Sequence, residues 1–358
     1  MMIELMFSSP KARIILVGDN NQLSTVADSD KMQFFGKSIL DWMLKTKVGR
    51  LHHQLTRCYR LPPLQCLFTS KNFYNSTLKS FWNYNMEKYV WWKSIRTSSV
   101  ELIEFEEDTE VKSSSGSMYN KREIFKVFEV LNDIVEHAAT PCPQQFTIII
   151  LCAYNAQRDI LLEQIPNKEL ESNFEKINVK IIITTIDSFQ GSEGDVVFIL
   201  TTRSNENIGF LSKRERINVA LSRNRLSNIV FGNNVKSFML KPQKKKKAHV
   251  FSFWKEFVEF VDFINSNSKE EEKFTRDCEA KLLHDKAVTT DVRIQAEVAE
   301  LLSVDHEIQE EEEIELPVIE QPLKKIPVIE QPLKKIPVIE QPLKKIPVIE
   351  QPLKKFLL

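Results

Sequence analysis

Residues Val179–Gly232, VKIIITTIDSFQGSEGDVVFILTTRSNENIGFLSKRERINVALSRNRLSNIVFG, decide how the rest of the chain is read. Three apolar, β-rich runs lie in it, Val179–Thr184, Val196–Thr202 and Asn228–Gly232. Strands that are apolar at successive positions are buried on both faces, as in a parallel sheet covered by helices. An α/β fold follows, and in such folds chemistry collects in loops beyond the carboxyl ends of the strands. The expected loop residues are Asp187, Gln190, Gly191 and Glu193. Between the second and third runs, Ser212 and Glu215 have capping-box spacing for a helix over Lys213–Arg223. Ile217, Ala220 and Leu221 share its inward face, while Arg216 and Arg223 stand about two turns apart and project on one side. Such a pair suits a polyphosphate, whose oxygens the guanidinium binds as a planar fork; two solvated surface arginines would show the same spacing.

Upstream, Phe146–Leu151 is another buried strand, and it runs into Ala153, Tyr154, Asn155, Ala156 and Gln157. Asn120 and Glu123 cap a helix whose apolar positions Ile124, Val127, Phe128, Leu131, Ile134 and Val135 keep the 3.6-residue period. Glu101–Ser117 is acidic and then serine-rich, and reads as a loop. Ala12–Gly18 reads as a strand that turns out at Asp19, Asn20 and Asn21, ahead of Gln22.

Gly36, Lys37 and Ser38 do not make a P-loop, because Lys31 stands where the wrapping glycine belongs, and GxxxxGK[ST] occurs nowhere else. The five cysteines have no CxxC pairing, and His52, His53, Cys58 and Cys66 match no standard zinc spacing, so no metal site and no disulfide framework are expected.

A chain of 358 residues that is 42% hydrophobic can bury a sizeable core. Its net charge of zero conceals blocks: basic Lys244–Lys247, acidic Glu270–Glu272 and Glu310–Glu313, and a lysine-rich end. No apolar run spans a bilayer and the start is unlike a signal peptide, so an intracellular protein, nuclear and/or cytoplasmic, without membrane association is expected. Phe251–Ile264 reads as an aromatic amphipathic helix that docks back on the domain, and Arg293–Leu302 as a short helix. From Leu316 a ten-residue unit, LPVIEQPLKK and then IPVIEQPLKK, repeats to Lys355; its prolines block helix and central strand, so residues 316–355 read as disordered.

IDSFQGSEGDVV (186–197) followed by GFLSKRERINVALSRNR (209–225) resembles motifs V and VI of superfamily 1 helicases, in the branch containing the nonsense-mediated-decay helicases. GDNNQL (18–23) resembles motif III and KSILDWML (37–44) the helix after it. LTRCYRLPPLQCLFTSKNFYNSTL (55–78) resembles the segment that opens the second motor domain, with Leu61 and Pro62 where the family has Met-His. AYNAQ (153–157) resembles the PYxxQ motif, with Ala153 in place of proline.

The resemblance implies a RecA-like second motor domain of the P-loop NTPase fold at 51–240, preceded by a remnant of the first at 1–50 and followed by a linker region at 241–315. It implies ATP and Mg²⁺ as cofactors and single-stranded RNA or DNA as the partner. Gln22 would sense the terminal phosphate, Arg60 and Arg223 would contact it, and Tyr59 would stack on the adenine. Gln190 and Gly191 would shape the nucleotide pocket and Glu193 would meet the sugar, while Tyr154, Gln157 and Thr185 would line the strand groove. The Walker A and B elements precede motif III in the family, so these residues by themselves are not expected to hydrolyse ATP. Three readings stay open: part of a longer ATPase, a subunit completed in trans by a chain carrying the P-loop half, or a non-catalytic nucleic-acid-binding or scaffold relative.

Overall fold

The computed structural model describes residues 16–23, 40, 43–44, 53–105, 110–165, 168–203, 209–233 and 248–266. All belong to the first of two compact units, Met1–Arg293. The start of the strand at Ala12–Gly18, most of the helix at 37–44, the Lys244–Lys247 block, both acidic runs, the Arg293–Leu302 helix and the repeats at 316–355 lie outside the described residues.

In chain order, β1 (Arg57–Cys58) leads into α1 (Pro63–Phe73), β2 (Lys79–Ser80), α2 (Met86–Ile95) and β3 (Val100–Phe105). A hairpin of β4 (Glu110–Lys112) and β5 (Met118–Asn120) precedes the long α3 (Lys121–His137). Then come β6 (Phe146–Cys152), α4 (Asn155–Gln164), α5 (Lys168–Lys176), β7 (Val179–Thr185) and β8 (Gly194–Leu200). The helix α6 (Arg214–Leu221), the strand β9 (Asn224–Asn233) and the helix α7 (Ala248–Ser266) complete the described elements.

Five strands form one wholly parallel sheet in the order β3-β9-β8-β6-β7. Alternation along each strand divides the core between its two faces. Val197, Ile199, Ile149, Leu151 and Val230 face α6 and α7. Val196, Phe198, Leu200, Ile148, Ile150 and Phe231 face α3, Trp92 of α2 and Leu161 of α4. This two-sided burial is the expected α/β architecture of the RecA-like class, with β8 buried at every position.

The run at Val179–Thr184 does form a strand, but as β7 it lies at the sheet's edge and is only half-buried through its middle. An apolar run therefore marked the strand correctly and its place in the sheet incorrectly. Glu101–Ser117 is corrected more substantially: Val100–Phe105 is the opposite edge strand, in register with Asn228–Asn233, and Glu110–Asn120 closes the hairpin. Glu101 and Glu104 give the segment a loop-like composition, whereas the backbone pairing that makes it a strand comes from distant β9.

The helix at α3 begins where its cap is expected, the Asn120 side chain accepting from the Glu123 N–H. Helix α7 does dock back on the domain, with Phe253, Phe257 and Phe260 packed around Phe68 of α1. No helix among the described residues is long and apolar enough to cross a membrane.

Candidate functional site

The segment 16–23 meets α1, α6 and the loops before β8 and β9, and the polar side chains converge there. Arg223 follows the end of α6 and is 2% exposed. Its guanidinium donates to the Gln22 Oε1 at 2.8 Å, to the Val219 carbonyl at 3.0 Å and to the Ser192 carbonyl at 3.4 Å. Every one of these acceptors is neutral. Burial, and then the nearby Arg60 charge, pull the Arg223 guanidinium down to about 10.

Arg60 lies two residues beyond β1 and reaches across to the same place, donating to Glu193 Oε2 at 2.5 Å and to the Ser222 carbonyl at 2.8 Å. Arg225 grips the other Glu193 oxygen. Burial alone would raise the Glu193 carboxyl, and the hydrogen bonds from Arg225 and Arg60 outweigh it, leaving the group below its usual range. Two guanidiniums, those of Arg60 and Arg225, therefore hold this one carboxylate.

Behind them runs a second network. Asp19 Oδ2 accepts from Gln22 Nε2 at 2.8 Å and from the Tyr74 hydroxyl at 2.6 Å. Asn218 Nδ2 donates to the Tyr74 oxygen and to the Asn21 carbonyl, each at 2.9 Å. Burial and then the Asp19 hydrogen bond push the Tyr74 phenol up to about 12, so it remains a donor at neutral pH. Tyr74, Asn218 and Arg225 are not singled out by sequence, and Asp19 reads there only as a turn residue. Asn218 carried a usable signal, a polar side chain between Ile217 and Val219 in a helix with a buried face, and it is fully buried.

Gln22, Arg60, Glu193 and Arg223 are thus brought together. Tyr59, 56% exposed with its ring 5.8 Å from Phe81, stands next to Arg60. Gln190 is exposed and donates to the Leu23 carbonyl at 3.4 Å. Gly191 takes a φ of +87°, in the left-handed region that favours glycine, with open space where a Cβ would stand.

Three expectations are corrected. The cluster lies at the amino ends of β8 and β9, since Glu193 immediately precedes one and Arg223 the other, rather than beyond carboxyl ends. The connection from β7 crosses the sheet through Ile186 and Phe189, which are buried in the core, and delivers Glu193 to that far end. Nor do Arg216 and Arg223 act as a pair. The Ser212 cap does not form, because Gly209–Ser212 is itself a 3₁₀ turn and Lys213 caps α6 without a side-chain bond. Arg216 is buried, forks onto both oxygens of Asp187 at 2.8 and 2.7 Å and lies over the Phe210 ring.

Tyr154, Gln157 and Thr185 sit apart, beyond or at the carboxyl ends of β6 and β7. Tyr154 is buried edge-to-face against Phe210, and its oxygen accepts from the Phe210 N–H at 3.3 Å. Gln157 is fully buried, accepting from the Asn120 N–H at 2.7 Å and donating to Glu123 at 2.8 Å. Thr185 donates its hydroxyl to Ser188 at 2.8 Å. Among the described residues no group of His, Cys, Asp and Glu could hold a metal ion.

A family model described as "AAA domain" matches residues 35–235. The "Probable helicase senataxin" of Mus musculus is 30% identical over 240 residues, covering 62% of this chain and 8% of that protein. The "Regulator of nonsense transcripts 1 homolog" of Neurospora crassa is 25% identical over 241 residues, covering 62% of this chain and 20% of its own. The "ATP-dependent helicase upf1" of Schizosaccharomyces pombe is 26% identical over 227 residues, covering 62% and 24%. The chain therefore spans less than a quarter of the length of these relatives. A solved C-terminal domain of a possible DNA helicase from Lactobacillus aligns over 54% of this chain and 93% of its own at 12% identity and a TM-score of 0.28; the fold assignment rests on the sheet order instead. Matched over more than half its length by that family model, the chain belongs to the AAA-domain family, as the C-terminal region of an Upf1-like superfamily 1 helicase.

Proposed function

We propose that the Gln22–Arg60–Glu193–Arg223 cluster is the second-motor-domain side of an ATP site in a nucleic-acid-dependent ATPase. One observation carries this reading: Arg223 is a buried cation whose hydrogen-bond partners are all neutral, with a second guanidinium close enough to disfavour its charge. A buried unpaired charge is costly, and an anion between Arg60 and Arg223 would relieve it. Guanidinium forks fit phosphate oxygens, and Tyr59 offers an exposed ring to a base, so the residues present suit ATP. Its terminal phosphate would meet Arg60 and Arg223, with Gln22 reporting that contact to the segment at Asp19.

ATP with Mg²⁺ supplies a transferable phosphoryl group, and the Walker-type residues that would hold the metal are contributed by the first motor domain, in the same polypeptide or in trans. Single-stranded RNA or DNA is the proposed partner, and action is proposed inside the cell. The likeness to relatives named as a probable helicase and an ATP-dependent helicase supports that partner. Thr185 would face the strand. Tyr154 and Gln157 would act indirectly, holding the Phe210 turn and the start of α3.

The test is Mg·ATP binding by the assembled enzyme. Loss of a charge-assisted bond is worth about 1.5–3 kcal/mol, so Arg60→Ala and Arg223→Ala should each weaken affinity roughly ten- to a hundredfold. Unchanged binding and turnover in both variants would sink the assignment.

A further inference from the structure

Phe210 stands in the 3₁₀ turn before α6 and is 45% exposed, yet it is held from several sides. The Arg216 guanidinium lies over its ring, 4.5 Å from the centroid, and is itself fixed by its fork onto Asp187. Tyr154, only 7% exposed, packs edge-to-face against the ring with the centroids 4.8 Å apart, and its oxygen accepts from the Phe210 N–H at 3.3 Å. Gly209 takes a φ of +59°, and a Cβ there would lie 2.0 Å from the Tyr154 oxygen, so a side chain would drive the turn off Tyr154. Solvent-facing apolar side chains are ordinary on protein surfaces. This one is mounted: a buried arginine, a buried tyrosine and a glycine turn fix the ring while part of it stays open to solvent.

Its place in the fold bears on what the open ring meets. Tyr154 lies two residues beyond the end of β6, whose last residue, Cys152, is in register with Thr185 at the end of β7. Asp187 follows two residues after Thr185, and through Arg216 it ties that strand end to Phe210. The ring therefore sits where β6 and β7 reach their carboxyl ends. Glu193 and Arg223 precede β8 and β9, at the opposite end of the same parallel sheet, so a ligand on Phe210 is separate from the proposed nucleotide. Beside the ring, the exposed Lys213 closes the same turn, its N–H donating to the Phe210 carbonyl at 3.4 Å. An open aromatic ring with a cation next to it matches a base and its phosphate.

We infer that Phe210 is a stacking platform for one unpaired base of a single-stranded nucleic acid, with Lys213 placed for the adjoining phosphate. The inference rests on the nucleic-acid partner proposed above and adds the residue that meets the base. Every base has a π-face, so such a platform accepts any sequence. Arg216 holds one face of the ring, and a base on the open side completes a stack of cation, ring and base. A ring already fixed by its neighbours loses little side-chain freedom on binding.

The experiment measures, by fluorescence anisotropy, binding of labelled oligouridine, oligothymidine and a tetrahydrofuran strand of the same phosphate count that carries no bases, all to the assembled enzyme. The better bound of the two oligonucleotides tells RNA from DNA as the strand that reaches the ring. For it, Phe210→Ala should weaken affinity roughly five- to a hundredfold, the worth of one stacked base, while the baseless strand is held as before. Phe210→Trp should restore binding, and Mg·ATP affinity should be unchanged in both variants. Equal weakening for strands with and without bases would mean that the ring only holds its turn, and overturns the platform. Wild-type affinity for both oligonucleotides in Phe210→Ala overturns it too, with the nucleic-acid partner left standing. Failure of the wild type to bind any strand overturns the partner and the platform together.

Discussion

Replacing Glu123 by glutamine tests the buried acid at the start of α3. Glu123 is fully buried and accepts from the Thr202 N–H at 2.9 Å, from Gln157 Nε2 at 2.8 Å and from the Thr201 hydroxyl at 3.4 Å, all neutral donors. Burial raises its carboxyl from 4.5 to about 8 against the pull of those bonds. Between these two values the native protein holds a proton that the unfolded chain has released, so stability falls as pH rises through the window. Integrated from pH 5 to pH 9, the loss is roughly 4 kcal/mol. In Glu123→Gln this titration disappears.

The substituted amide must, however, turn its NH₂ toward Gln157 Nε2, because Gln157 Oε1 is already taken by the Asn120 N–H. Donor against donor costs about 1–3 kcal/mol at every pH. The informative quantity is therefore the difference between wild type and variant in urea unfolding across the pH range. Wild type should lead by about 1–3 kcal/mol near pH 5, and the difference should move by roughly 4 kcal/mol in the variant's favour toward pH 9, so that the variant becomes the more stable of the two. A difference that stays constant with pH would refute a neutral buried Glu123.

Other outcomes follow from single contacts. In Gly194→Ala the new Cβ would lie 2.3 Å from Ile149 Cγ1 inside the sheet, so a loss of about 1–3 kcal/mol in thermal or urea unfolding is expected. Asp195 accepts from the Thr147 N–H at 2.7 Å, the Tyr84 hydroxyl at 2.8 Å and Lys88 at 3.1 Å, tying α2 to the starts of β6 and β8. Asp195→Ala strands all three donors and should cost about 3 kcal/mol, read by urea unfolding. Phe68→Ala removes the ring on which Phe253, Phe257 and Phe260 pack; about 2 kcal/mol of burial is lost, and limited proteolysis should cut at α7 earlier than in wild type.

Much was legible in residue order because local rules coincide with the fold. Val196–Leu200 and Phe146–Leu151 had to be strands buried on both faces, and α3 announced itself through its cap and its 3.6-residue period. The family resemblance, and no local rule, implied one site for Gln22, Arg60, Glu193 and Arg223, which are far apart in the chain. Only tertiary structure decided the rest. Val100–Phe105 is a strand because β9 supplies its hydrogen-bond partners, and β7 is an edge because among the described residues no strand follows it in the sheet order. Arg216 and Arg223 share a spacing, yet one spends its charge on Asp187 while the other is left with neutral oxygens. Periodicity records which face of an element a residue occupies. Which charge meets which is fixed by the distant elements that face packs against, and so is absent from any local stretch of sequence.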